Sequence, residues 1–296
     1  MNPVSYDFAI IGGDMRQIYM ANELVARNYS VIVYGLLDPI LDSSCTAADS
    51  LADAIDSSHI ILTPIPVSKD GKTIISQKAQ PDLTIYHLLR LLSPGQKLYG
   101  GCLTKEIKKQ CDSNHIFYHD FMEQEEVILF NTIATAEGTL AEAILSSTTN
   151  LHGSSCLILG YGRCARTLAD KLRGLCGHID IAARSPLALA AANAASLGTV
   201  LLSSLEEKID QYDYIFNTIP SLVLTREILV KTNPDVIIID ISSAPGGVDF
   251  AASKELERAA KLCLGLPGKY APKSSAYFLI DYLLTNLERS DSYVIA

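Results

Sequence analysis

An apolar run, Ser155-Cys156-Leu157-Ile158-Leu159, breaks at residue 160 into Gly160-Tyr161-Gly162-Arg163-Cys164-Ala165, and an amphipathic segment follows to residue 175. A strand that turns on G-x-G-x-x-A into a helix constrains the fold more than any other stretch of this chain. The first glycine permits a sharp turn and the second lets backbone approach a diphosphate. The small Ala165 lets helix pack on strand, and the first amides of the helix, which have no partners within it, face the phosphates. The glycine spacing alone is weak evidence, but here it has the strand before it and the helix after it that the motif requires. The competing reading is a glycine turn in a doubly wound sheet that binds nothing.

At 296 residues the chain has room for two domains of about 150 residues, each able to bury a core. A hydrophobic content of 48% suits a globular α/β protein, and a net charge of -9 supplies no basic field for nucleic acid or an anionic membrane surface. A small-molecule ligand is the expectation. The seven cysteines (Cys45, Cys102, Cys111, Cys156, Cys164, Cys176, Cys263) are scattered without C-x-x-C pairs, and their odd number favours a reducing cytoplasm. No signal sequence is read at the start, and no apolar run is expected to reach bilayer-spanning length.

Apolar runs at residues 7–12, 30–34, 59–64, 96–100 and 115–118 read as strands, with a helix at 16–28. A long helical stretch without proline, residues 121–147, precedes a turn at Leu151-His152-Gly153. Strands then recur at 156–159, 179–183, 214–217 and 236–241, with helical runs such as 186–197 between them. The expected fold is α/β, two Rossmann-like doubly wound parallel sheets with an interdomain cleft, in the manner of 2-hydroxyacid dehydrogenases. The expected boundaries are 1–130 for a substrate domain, 131–151 for a linking helix, 152–272 for a nucleotide domain and 273–296 for a terminal helix that packs back on the first domain.

About twenty residues beyond the glycine turn, where an NAD site places a carboxylate, stands Ala182-Ala183-Arg184-Ser185. Asp180 falls too early in the strand. Arg184 and Ser185 could instead bind a 2′-phosphate, so NADP is favoured, with NAD possible. Thr218, Ile219 and Pro220 close the next strand at the edge where cofactors sit, and Ser242, Ser243 and Gly246 leave the one after it in a run of small residues. Ser242 is assigned to the cofactor, Ser243 and Gly246 to substrate. Ordinary strand-end turns are the alternative.

In the first half, Gly12-Gly13-Asp14-Met15-Arg16 imitates a nucleotide turn but puts a carboxylate where phosphates would lie. Asp14 and Arg16 therefore read as a polar substrate edge, with Arg16 offering a fork to a carboxylate, or Asp14 as a helix N-cap. Glu137 is a candidate proton-transfer group against the alternative of a solvated helical glutamate. Lys273 or Lys269 could bind a substrate carboxylate or be an ordinary loop lysine. His115 and His119 have helical metal spacing but lie in strand-like sequence, which separates them by roughly 13 Å and argues against a metal. No histidine follows His178, so a late histidine acid/base is missing.

Several runs together resemble the family of dipicolinate synthase A subunits from spore-forming bacteria. They are Ile11-Gly12-Gly13-Asp14 with Arg16-Gln17, Glu137-Gly138-Thr139, His152-Gly153-Ser154, Leu159-Gly160-Tyr161-Gly162-Arg163, Ala183-Arg184-Ser185, Asn217-Thr218-Ile219-Pro220-Ser221, Pro245-Gly246-Gly247-Val248-Asp249-Phe250, and Leu266-Pro267-Gly268 with Ala271-Pro272-Lys273. The resemblance implies NAD(P)-dependent oxidation and dehydration of 4-hydroxytetrahydrodipicolinate or dihydrodipicolinate to pyridine-2,6-dicarboxylate. It also implies a partner, a flavoprotein-like B subunit, and the mother-cell cytoplasm of a sporulating bacterium as the place. A cleft residue, Glu137 or Asp14, would move the proton, and Arg16 and Lys273 would hold the two carboxylates. Related dehydrogenases suggest a homo-oligomer. The alternatives are an NADP-dependent dehydrogenase of a small keto or hydroxy acid, and a noncatalytic NADP-binding accessory protein.

Overall fold

The computed structural model describes residues 6–292; the outer ends of the two expected terminal segments, 1–5 and 293–296, lie outside the described residues. The chain divides into two units. One holds the described residues up to Phe130 and from Ala271 onward, and the other is Asn131–Tyr270.

In the first unit β1 (Tyr6–Ile11), α1 (Met15–Ala26), β2 (Val31–Tyr34), β3 (Thr46–Ala47), α2 (Leu51–Asp56), β4 (Ser58–Leu62), α3 (Ile85–Leu91), β5 (Lys97–Gly100), α4 (Lys105–Ser113) and β6 (Phe117–Asp120) alternate along the chain. Helix α5 (Glu125–Leu145) runs on into the second unit. There follow β7 (Ser155–Leu159), α6 (Arg163–Leu172), β8 (His178–Ala183), α7 (Pro186–Ala194), β9 (Gly198–Leu201), β10 (Tyr214–Asn217), α8 (Arg226–Val230), β11 (Ile237–Asp240), α9 (Phe250–Glu255), β12 (Ala259–Leu262) and α10 (Leu266–Tyr270). Helix α11 (Pro272–Ser292) belongs to the first unit.

Among the described residues each unit has a six-stranded, all-parallel sheet, ordered β3-β2-β1-β4-β5-β6 and β12-β11-β10-β7-β8-β9. Counted from its own first strand, each unit has the order 3-2-1-4-5-6, the doubly wound arrangement expected from the sequence. The switch points, where successive crossovers leave in opposite directions, lie between β1 and β4 and between β7 and β10.

The strands read as continuous apolar runs because both sheet faces are covered. In β7, Cys156 and Ile158 join one core while Leu157 and Leu159 join the other, as the two-residue period of a strand dictates. In β1, Ala9 and Ile11 face one core, and Phe8 and Ile10 face the core to which α11 contributes Ala276, Leu279, Ile280 and Leu283. Phe130 stacks on Phe278 with ring centroids 4.0 Å apart.

The structure corrects two expectations. Helix α5 is, by length and composition, apolar enough to cross a membrane, although no run of that kind was expected. It carries buried Glu142, which accepts hydrogen bonds from Lys261, Lys269 and Tyr270 of its own unit, so one of its faces is a packed polar interior surface. Residues 266–270, read as a loop, form α10, and Gly138 of α5 is shaped to it: a Cβ there would come within 2.8 Å of the Tyr270 ring.

Candidate functional site

The second unit's switch point is built on Gly160. Its φ is +93°, a left-handed conformation that favours glycine, and its N–H donates to the Ala182 carbonyl at 2.8 Å. A Cβ at Gly160 would stand 2.5 Å from Thr218 Oγ1. Thr218 is held there because its hydroxyl and its N–H both donate to the Leu159 carbonyl, at 2.8 and 3.0 Å. The ends of the two central strands are thus laced together around a residue that must be glycine.

Gly162 is the N-cap of α6, with no side-chain cap hydrogen bond, and a Cβ added there would meet nothing within 4 Å. The start of this ten-residue helix therefore carries a positive partial charge with no side-chain cap and with room beside the N-cap backbone. Ala165, fully buried, sits where the helix packs on the sheet. The Arg166 guanidinium lies over the Tyr161 ring at 5.0 Å and donates to the Tyr161 carbonyl, bracing the turn. A helix start without a side-chain cap, space beside Gly162 and no carboxylate at the N-cap fit a diphosphate.

At the end of β8, Arg184 and Ser185 are both exposed, and Arg184 makes no hydrogen bond or ion pair among the described residues. Ser185 N-caps α7 by accepting from the Ala188 N–H, which leaves its hydroxyl proton available. Asp180 is turned inward, accepting from Tyr212 Oη at 2.5 Å and bonding His178 at 2.8 Å. Consistent with its early place in the strand, it is structural.

The β11 exit is organised by two residues the sequence reading did not single out. Asp240 is fully buried. Its Oδ1 accepts from the Ser242 N–H and hydroxyl, at 2.9 and 2.7 Å, and its Oδ2 from the Gly247 N–H at 2.7 Å. Asn217, its cross-strand partner, accepts from the Ile219 N–H and donates to the Ile219 carbonyl, so it shapes the Thr218-Ile219-Pro220 edge. Their signal was a polar residue ending each of two apolar strands at the same register. Ser242 spends its hydroxyl on Asp240, whereas Ser243 is exposed. Gly246 has φ +94°, and a Cβ on Gly247 would lie 2.6 Å from the carbonyls of Ile219 and Ser221.

The first unit's turn has the same outline and opposite chemistry. Asp14 caps α1: its Oδ1 accepts from the Arg16 N–H, while Gln17 Oε1 accepts from the Asp14 N–H. The same carboxylate takes Arg16 Nε at 3.0 Å and Nη2 at 2.7 Å, and Nη2 also donates to the Ile65 carbonyl. Burial works to raise the Asp14 carboxyl, but the hydrogen bonds and charge of Arg16 outweigh it and hold it below its ordinary range. The cap alternative is thus what Asp14 does here. The Arg16 fork is closed on it, leaving Nη1 without a hydrogen bond among the described residues.

Glu137 is half exposed and pairs with Lys171 at 2.8 Å within the second unit. Lys273 opens α11 in the first unit, exposed and 5.5 Å from the Tyr277 ring centroid. His119 lies in β6 and His115 in the preceding turn, and among the described residues no cluster of three metal-ligating side chains occurs. A cavity of about 1050 Å³ between α3 and α4, lined by Tyr86, His87, Arg90, Glu106 and Gln110, borders none of the residues named from the sequence.

Residues 7–122 match the family described as the N-terminal domain of the dipicolinate synthase A subunit. Over 280 residues, 93% of either chain, the sequence is 28% identical to the A subunit of dipicolinate synthase from Bacillus subtilis (strain 168). Crystal structures of the A subunit of dipicolinate synthase from Bacillus halodurans and of the A chain of dipicolinate synthase from Bacillus subtilis share the fold at TM-score 0.82 and 24% identity. They cover 97% and 98% of this chain, and 99% and 98% of theirs. A transhydrogenase from Sinorhizobium meliloti superposes at TM-score 0.64 and 13% identity, over 95% of this chain and 94% of its own. The resemblance read from the sequence is borne out, and the fold is one that dehydrogenases use.

Proposed function

From its likeness, over nearly its whole length, to the A subunit of dipicolinate synthase, we propose that this chain is the nicotinamide-dependent oxidoreductase component of such an enzyme. In this reading it converts 4-hydroxytetrahydrodipicolinate, by loss of water and of two hydrogens, into pyridine-2,6-dicarboxylate, together with a B subunit, in the cytoplasm of the sporulating mother cell. The observation that carries the reading is the contrast between the two glycine turns. One begins its helix at a glycine with no side-chain cap, and the other fills the equivalent place with its own carboxylate.

The amides of Tyr161, Gly162 and Arg163 after the Gly160 turn would hold the diphosphate, Arg184 and Ser185 the adenosine 2′-phosphate, and Thr218, Ile219, Pro220 and Ser242 the edge beyond. When bound, the nicotinamide supplies the acceptor for one hydrogen and two electrons from the substrate ring. Lys273 and the remaining Nη1 of Arg16 are assigned to the substrate carboxylates, and the Ser243 to Gly246 run to a close backbone contact with the ring. Glu137 is assigned the proton: it is half exposed, whereas Asp14 is spent on its cap and on Arg16. Loss of water followed by oxidation ends in an aromatic ring, which makes the sequence irreversible in practice.

The test mixes the chain with 4-hydroxytetrahydrodipicolinate and NADP, then NAD, with and without the B subunit, and follows reduced-nicotinamide absorbance and dipicolinate. Formation of both products supports the assignment. Nucleotide binding without either product, even with the partner present, overturns it in favour of an accessory protein, and turnover of simple keto acids without a partner would mark a different dehydrogenase.

A further inference from the structure

Two cysteines far apart in sequence meet in the second unit. Cys156, the second residue of β7, is fully buried, and Cys176, in the turn after α6, is partly exposed; their Sγ atoms are 3.0 Å apart. A disulfide needs about 2.05 Å, so a shift of about 1 Å, within the reach of side-chain torsions, would join them. The surrounding backbone keeps them together: Cys176 N–H donates to Leu172, Gly177 N–H to Ser154, and Gly153 N–H to Leu175.

We propose that Cys156 and Cys176 form a redox-sensitive pair that closes to a disulfide under peroxide and reopens under thiol reductant. The loop so closed contains the whole glycine turn and all of α6, tying the far end of that helix to the base of its strand. The polarity of the pair says which sulfur reacts first. Hydrogen bonding from the Cys156 thiol lowers the Cys176 thiol's pKa below its ordinary value, while that hydrogen bond and burial raise Cys156's. Ser154 Oγ lies 3.9 Å from the Cys176 sulfur. Cys176 is thus the less buried cysteine and the better thiolate, and Cys156 the resolving thiol.

The chemistry balances. Cys176 thiolate attacks hydrogen peroxide, breaking the O–O bond to give the sulfenic acid and hydroxide. Cys156 then attacks the sulfenic sulfur, the S–OH bond breaks, and the displaced hydroxide leaves as water with the Cys156 proton. The sulfurs together lose two electrons and the peroxide becomes water.

The native full-length chain is treated with hydrogen peroxide, its remaining thiols are alkylated, and its peptides are mapped by mass spectrometry. The expected result is a Cys156–Cys176 crosslink reversed by dithiothreitol, with Cys176 losing its thiol about tenfold or more faster than buried Cys111. In Cys156→Ser, a dimedone-trapped sulfenic acid should accumulate at Cys176, and in Cys176→Ser the Cys156 thiol should survive. Persistence of both thiols in the wild-type chain while exposed Cys102 is oxidised overturns the proposal, as does crosslinking of either cysteine to a different partner. The wild-type map decides even where a variant fails to fold.

Discussion

Gly162 and Arg184 carry the most consequence at the scale of single residues, because each tests one end of the expected dinucleotide. A carboxylate at Gly162 has room, since nothing lies within 4 Å of its Cβ position, and it would cap α6 as Asp14 caps α1. Gly162→Asp should therefore leave stability unchanged or raised by a few tenths of a kcal/mol. It should also cost nucleotide affinity about 100-fold or more, because a phosphate loses several charge-assisted hydrogen bonds to a competing anion. Thermal melting and nucleotide titration on the same variant separate the two effects, and retained affinity would show that the diphosphate lies elsewhere. Arg184→Ala should weaken NADP binding by about 10- to 100-fold, the worth of one charge-assisted contact, and leave NAD unaffected. Equal dissociation constants for NADP in variant and wild type would remove Arg184 from the site. The positions of Gly160, Gly162, Arg184 and Thr218 just beyond strand ends were legible from local spacing. Asp240 and Asn217 were not, since their roles depend on β10 and β11 pairing in register.

Elements differ in how far local chemistry specifies them. Helix α1 is specified twice, by its apolar face and by the Asp14–Gln17 capping box, and the box is what makes its turn unlike the one before α6. Asp14→Ala removes the cap and strands Arg16, whose side chain is 8% exposed. Because Asp14 is itself 39% exposed, solvent softens the loss, and the expected cost is about 2–4 kcal/mol in a denaturant titration. Asp14→Asn keeps the cap and should cost less than half as much; equal losses for the two variants would mean the ion pair, not the cap, carries the effect. Strands β3, β9 and β12 were not read from the sequence at all. They have two to four residues with mostly exposed or half-exposed side chains, so they lack the long buried apolar runs of the central strands and form along the edge of a neighbouring strand.

Over the whole molecule, acid sensitivity should centre on Glu142. Burial raises its carboxyl, but hydrogen bonds from Lys261, Lys269 and Tyr270 overcome that and bring it to about 2 from an ordinary 4.5. A folded-state value below the unfolded one stabilises the native state above about pH 4.5, and that contribution is lost as pH falls toward about 2. Melting temperature should therefore drop more steeply over this interval in the wild type than in Glu142→Gln, and parallel curves would assign the acid loss to other groups. The sequence by itself determined the alternation of apolar runs and amphipathic segments, and with it two doubly wound sheets and the site of the open glycine turn. These are local properties, since periodicity and turn chemistry act within a few residues. What only tertiary structure decided is which polar residues work together: Glu142 with two lysines more than a hundred residues later, Asn217 beside Asp240, Cys156 with Cys176. Such groups meet because strand order and crossovers bring distant segments side by side, and no periodicity in the chain records that proximity.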